Sequence, residues 1–420
     1  MPHRKEIEVN GRTYRWPEAP VVVVCVDGSE RAYIDKAVAA GRMPWTAGIL
    51  KSGTDLTALS VVPSFTNPNN LSIVTGRPPE VHGISGNYFY DRETGTEVMM
   101  NDPKFLRAGT IMAAFQEAGA SIAVVTAKDK LRKLLGNGLK FDGSAVCFSA
   151  ERCDETSMAG NGIDDARAWL GCEVPDVYSA DLSEVVFKAG VKLLAERHFD
   201  LMYLSTTDFI QHKYAPGDSV ANDFYAMMDG YWAELDRLGA TLVLTADHGM
   251  NPMHHADGSP NVVYLQSLLD DILGEGKTRV ILPITDPYVV HHGALGGFAT
   301  AYLPEGADVA EVVMKLSAVP GLEWVGTGTE GCARFGLPAD RMGDIIAISA
   351  RNTAVGSSPE GHDLSKLKEP LRSHGGLSTQ AVPMIVNRKL EGLDPSATIR
   401  NFDAFAIGLN HAAQMAEAAS

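Results

Sequence analysis

The sequence predicts an α/β protein: a mostly parallel central sheet flanked by helices, with a smaller α+β insertion. Three observations predict it. Short, unbroken apolar runs recur and end on polar residues, as strands buried on both faces of a parallel sheet do. Helical patterns lie between these runs, the alternation of an open α/β sheet. After Gly249 the segments shorten and turns become frequent.

Taken in order, residues 21–26 stop at Asp27, and residues 56–62 lead into Pro63, Ser64, Phe65 and Thr66. Residues 121–126 end at Lys128, residues 201–205 at Asp208, and residues 241–245 at Asp247 and His248. Apolar residues recur at helical spacing over 109–118, 182–197 and 221–238. Residues 251–368 hold short β-like pieces at 280–282, 298–303 and 344–348 and a helical stretch at 309–316, so they are read as a cap inserted in the core. The core then comprises residues 1–250 and 369–420, resuming at Ser373 and His374 with a strand over 382–386 and a last helix from about Phe402. Ligands in such sheets bind beyond the carboxyl ends of the strands, where these polar residues fall.

Composition excludes several classes. The chain has 420 residues, 45% of them hydrophobic and 21% charged, which is ordinary for a globular protein. Its net charge of −16 argues against nucleic-acid binding, which needs basic residues to neutralise phosphates. No apolar run approaches the roughly 20 residues that span a bilayer, and the first 20 residues lack the apolar stretch of a secretory signal. Five cysteines with no CxxC pair argue against a disulfide framework and a thiolate zinc site. The default expectation is a cytoplasmic protein with neither nucleic-acid nor membrane partners. Nothing in the sequence reads on oligomeric state, and a homodimer is left open.

The candidate chemistry sits in five places. Asp208 and His212, at i and i+4, face the same way on a helical turn and can reach one ion; read alone, the pair is more readily an N-cap Asp beside an exposed His. Asp247 and His248 follow a strand and precede Gly249, which suits a second ion or a simple capped turn. Asp27 closes the first strand, and His374 sits on a Gly-rich turn. Together these supply three carboxylates and three imidazoles, a mixed donor set that suits zinc, with Mn2+ or Fe2+ as substitutes. Thr66 opens a helical stretch that closes at Gly76; it is either that helix's N-cap or a hydroxyl that a divalent cation can ionise. The adjacent pairs His254/His255 and His291/His292 are left unassigned, since neighbours on an extended chain point opposite ways, and His82 is read as structural.

The order Asp27, Thr66, Asp208/His212, Asp247/His248 and, after an insertion, His374 resembles the alkaline phosphatase superfamily in its nucleotide pyrophosphatase/phosphodiesterase-like branch. The resemblance runs from about Val21 to Ile407 and implies an alkaline phosphatase-like core with two Zn2+. It implies that Asp208, His212 and His374 hold one ion, that Asp27, Asp247 and His248 hold the other, and that Thr66 is the nucleophile bridging both. Within the branch, residues 63–70, 83–90, 126–130 and 373–376 resemble a family of phosphonate hydrolases. That implies a small phosphonate, phosphonoacetate, cleaved at its C–P bond through a phosphothreonine on Thr66, with Asn87 donating to a phosphonyl oxygen. A phosphodiesterase, a nucleotide pyrophosphatase or a phosphomutase-type transferase are the alternatives.

One charge argument is independent of the resemblance. Three Asp carboxylates and an ionised Thr66 balance two divalent cations, so a substrate bearing a further carboxylate needs cations beyond the metals. Lys128 and Lys130 lie just past a core strand. Read alone they are two solvated lysines at a basic helix start. With the resemblance they are expected to bind the substrate carboxylate.

Overall fold

The structure is a computed structural model and describes residues 5–284 and 293–413. Seven strands form the central sheet: β1 (Val21–Cys25), β2 (Thr54–Leu59), β3 (Ile122–Thr126), β4 (Ala145–Ser149), β5 (Leu201–Ser205), β6 (Thr241–Thr245) and β7 (Ala381–Val386). Their spatial order is β2-β7-β6-β1-β5-β3-β4. β1 pairs in parallel with β5 and β6, and β3 in parallel with β4 and β5. Only β7 runs against its neighbours, β6 and β2.

The apolar runs are explained by burial on both faces. Successive strand residues point to opposite sides, so Val22 and Val24 enter one core while Val21, Val23 and Cys25 enter the other. Helices α1 (Thr66–Thr75) and α2 (Asp129–Leu135) cover the second core; α3 (Asp181–Glu196) and α4 (Ser219–Arg237) cover the first. α1 ends at Gly76, whose left-handed φ of 67° and contact with the Tyr14 hydroxyl leave no room for a side chain.

Strand register builds the site. Thr126 pairs with Ser205, Ser205 with Cys25, and Cys25 with Thr245, so four strands end in one row. Lys128, Asp208, Asp27 and Asp247 lie two or three residues beyond that row and emerge at one edge of the sheet.

Some elements differ from expectation. The run at 56–62 leaves the sheet early: β2 ends at Leu59, the Ser60 N–H bonds to the Gln380 carbonyl, and Val62 packs with Phe298 of the insertion. The polar N-terminus is a hairpin of Glu6–Val9 and Arg12–Arg15 that buries Tyr14. The strands Ala145–Ser149 and Leu322–Thr327 were not anticipated.

Within residues 251–368, four antiparallel strands stand in the order Arg279–Ile281, Phe298–Tyr302, Ile345–Ser349, Leu322–Thr327. The helices Leu265–Leu273 and Val309–Ser317 pack with them around Leu269, Ala299, Val312 and Ile345. Asn251–Pro252 pairs antiparallel with Arg372–Ser373, which brings the two flanks of this segment together. Among the described residues, no helix is long and apolar enough to cross a membrane.

Candidate metal centre and active site

The six predicted ligands are all buried: Asp247 and His248 are 0% exposed and Asp208, the most open, 9%. Ligand atoms of Asp208, His212 and His374 lie within 4.8 Å of one another, as do those of Asp27, Asp208 and His248. Asp208 thus joins both groups. It holds the N-cap position of the helix Phe209–Lys213, yet its side chain caps nothing and turns instead to His212, with Oδ2 2.8 Å from Nε2. His374 Nε2 lies 3.5 Å from the same oxygen. His248 Nε2 is 3.2 Å from Asp27 Oδ1 and 3.8 Å from Asp247 Oδ2. Asp247 thus also faces His248, while Asp208 completes the set of mutually close ligand atoms with Asp27 and His248. The imidazoles of His248 and His374 stack with centroids 3.5 Å apart.

These residues fit divalent cations. The Nδ1 atoms of His212, His248 and His374 face the carbonyls of Arg372, Gly249 and Ser64 at 2.7, 2.9 and 2.8 Å. A carbonyl only accepts, so each Nδ1 carries the proton and each Nε2 presents a lone pair. Those lone pairs face carboxylate oxygens at 2.8–3.5 Å, an arrangement that repels unless a cation lies between. The spacing matches the edge of a zinc tetrahedron, roughly 3.3 Å for bonds of about 2.0 Å. Asp27 Oδ1 is a buried atom with no hydrogen-bond donor. Burial, then Asp208 and Asp247, push the Asp27 carboxyl well above its usual range, and burial holds His212 and His374 low, as neutral imidazoles.

Thr66 is the first residue of α1, and Phe65 takes the N-cap position. The Thr66 hydroxyl is therefore free of capping and lies 3.3 Å from His248 Nε2. The cap reading of Thr66 is excluded by this placement.

A cavity of about 130 Å³ opens onto this cluster. Asp27, Thr66, Asp208, His212 and His374 line it on one side, and Asn87, Lys128 and Lys130 line it as well. Lys128 holds the N-cap position of α2 and is near enough to draw the Asp27 carboxyl partly back down. Asn87 is held by Pro283 and Ile284: its N–H donates to the Pro283 carbonyl at 2.6 Å and its Nδ2 to that of Ile284 at 3.3 Å. Ile284 itself lines the cavity, and the Gly297 N–H donates to the His374 carbonyl at 2.7 Å.

Tyr88, Met99 and Asn101 add to the wall from the hairpin Tyr88–Asp91/Thr96–Met99 and the residues after it. Sequence reasoning missed Met99 and Asn101; the hairpin was the only signal available, and its strands are short and mixed. His82 is fully buried between Ser72 and the Ile84 N–H, a structural role as expected. His254 turns to the carbonyl of His255 and lines no part of the cavity. His291 and His292 lie outside the described residues.

Comparison with known proteins places this geometry. The sequence model of a family described as "Type I phosphodiesterase / nucleotide pyrophosphatase" matches residues 21–377. Rat ectonucleotide pyrophosphatase/phosphodiesterase family member 1 is 26% identical over 282 residues, 60% of this chain and 26% of the relative. A pyrophosphatase/phosphodiesterase of Schizosaccharomyces pombe, named as uncharacterized, is 24% identical over 249 residues, 56% of this chain and 45% of its own. The chain thus matches from about a quarter to under half of the length of these curated relatives. Among solved structures, phosphonoacetate hydrolase from Sinorhizobium meliloti 1021, in complexes with phosphonoformate and with phosphonoacetate, is 60% identical. The similarity covers 98% of this chain and 100% of that one, with a TM-score of 0.95. Murine ectonucleotide pyrophosphatase/phosphodiesterase 5 shares the fold at 19% identity, covering 93% of each chain, with a TM-score of 0.60.

Proposed function

The chain belongs to the type I phosphodiesterase/nucleotide pyrophosphatase family, within the alkaline phosphatase superfamily, and from that premise we propose that it hydrolyses phosphonoacetate to acetate and phosphate. One observation carries the reading. The 60%-identical structure is in complex with phosphonoacetate, and here Thr66, four of the buried cluster residues (Asp27, Asp208, His212 and His374) and the lysines Lys128 and Lys130 line one small cavity. At about 130 Å³ that cavity is below the roughly 300 Å³ at which drug-sized ligands are held.

Asp208, His212 and His374 would hold one divalent cation, and Asp27, Asp247 and His248 a second, with zinc the ion the donor set favours. When bound, the ions supply Lewis-acid charge that lowers the pKa of the Thr66 hydroxyl and offsets charge on the phosphonyl oxygens. Thr66 Oγ1 attacks phosphorus, and the C–P bond breaks with its electron pair passing to carbon. The leaving carbanion delocalises into its carboxylate as an enediolate, and Lys128 and Lys130 stabilise that charge. Each such donor is worth roughly 3 kcal/mol, by analogy with an oxyanion hole. Asn87 donates to a phosphonyl oxygen. In net terms the carbon gains the proton that Thr66 loses, releasing acetate, and water then hydrolyses the phosphothreonine to phosphate and free Thr66.

Residues 251–368 act in this reading as a cap, supported by Ile284 at the cavity wall and by the Pro283 carbonyl that holds Asn87. Excluding water around a small dianion strengthens every charge contact within. The family description favours a second reading, a phosphodiester substrate. The metal-loaded protein, assayed on phosphonoacetate, other phosphonates, an aryl phosphodiester and a phosphate monoester, separates the two. Release of phosphate from phosphonoacetate well above the others supports the proposal; turnover confined to the diester overturns it.

A further inference from the structure

We propose that Asn70 is a positioning residue that fixes the Thr66 nucleophile and the Asp247 carboxylate in one frame. Asn70 lies one helical turn after Thr66 on α1 and is fully buried. Its Nδ2 donates to the Thr66 carbonyl at 3.0 Å and to Asp247 Oδ2 at 3.1 Å. Its Oδ1 accepts from the Tyr203 hydroxyl at 2.7 Å and from the Ser205 hydroxyl at 3.0 Å. Both donors and both acceptor positions of the amide are used.

Chemistry fixes which way the amide points. Flipped, its oxygen would face a carboxylate and a carbonyl, and two acceptors would meet at each contact. The two hydroxyls of β5 therefore lock the amide, and the amide ties α1 to the loop after β6. The other Asp247 oxygen accepts from the N–H groups of Gly28 and His248 at 3.2 and 3.0 Å. Asn70 thus supplies a side-chain hydrogen bond to the set that orients Asp247, and the same group holds the first turn on which Thr66 sits. Asn69, its neighbour, is a contrast: its side chain bonds Val61, Pro63, Phe65 and Asn401 and reaches no carboxylate of the site.

This inference rests on the reading of Thr66 as nucleophile and Asp247 as ligand. Its test uses Asn70→Leu, which keeps the branched shape of the side chain and removes its donors and acceptor, and Tyr203→Phe, which removes one lock. Zinc content is followed against graded chelator, and kcat and KM are measured on phosphonoacetate and on a phosphate ester lacking a carboxylate. Asn70→Leu is expected to lose one ion at about 10- to 100-fold lower chelator. Its kcat should fall by a similar factor on both substrates, with KM unchanged. Tyr203→Phe should shift both readouts the same way by less, and it decides the matter should Asn70→Leu fail to fold. Wild-type zinc retention and kcat in the folded variants would overturn the inference. The zinc titration reads Asn70 even where phosphonoacetate proves not to be a substrate, so the two claims fail separately.

Discussion

Asp208 Oδ2 lies 2.8 Å from His212 Nε2, between two side chains that are almost wholly buried. The proton of His212 is committed to the Arg372 carbonyl through Nδ1, so the contact joins two lone pairs and calls for a cation. Elemental analysis of gently purified protein should find near two divalent ions per chain. His212→Ala and His374→Ala should each lower that number and abolish turnover while leaving the far-ultraviolet circular dichroism unchanged. A single ion that persists through exhaustive zinc addition would contradict the two-ion site.

The lysines separate substrate recognition from bond cleavage. Lys128→Ala and Lys130→Ala should each lower kcat/KM for phosphonoacetate by about 10²-fold, since a desolvated charge-paired contact is worth a few kcal/mol. A phosphate ester without a carboxylate should be affected much less, because Thr66 and the cluster stay intact. Equal losses on both substrates would mean that the lysines serve folding or the metal centre.

Gly86 tests the cap. A Cβ there would run into the Pro283 ring, separating the insertion from the residue that precedes Asn87. Gly86→Ala should lower turnover of phosphonoacetate several-fold with two ions retained. Unchanged kinetics would mean that the insertion's grip on Asn87 is irrelevant to the reaction.

His82 predicts an acid limit on stability. Burial, with Arg341 nearby, lowers its pKa from 6.5 to about 3, and its Nδ1 accepts the Ile84 N–H at 3.2 Å, so protonation would set two donors against each other. A folded-state pKa below the unfolded one means the stabilising contribution is present above pH 6.5 and lost as pH falls toward 3. The loss is roughly 1.4 kcal/mol per pH unit across that window. His82→Gln should flatten the fall of Tm between pH 7 and about 5 relative to wild type; an unchanged slope would show that other groups set the acid limit.

What the sequence made legible follows from burial and register. Val21, Val23 and Cys25 read as a strand because both faces of β1 are covered, and Asp27, Asp208 and Asp247 could be placed together because parallel strands end in one row. β2 was misjudged at its end because the buried Val61 and Val62 follow its apolar run, and Val62 packs outside the sheet. The hairpin Tyr88–Asp91/Thr96–Met99 was missed because its short strands mix exposed polar residues with buried and half-buried apolar ones. Asn70 escaped notice for a different reason: its partners Tyr203 and Asp247 lie 133 and 177 residues away, and no local pattern announces a contact of that range.

The most direct measurement is a rapid acid quench of the metal-loaded protein mixed with excess phosphonoacetate. The account predicts that acetate is released before free phosphate in the first turnover, with phosphate covalently bound to the peptide containing Thr66 in between. Thr66→Ala should give none of the three. Acetate and phosphate appearing together with no phosphorylated Thr66, or no acetate at all, would contradict the claim that this hydroxyl breaks the carbon–phosphorus bond.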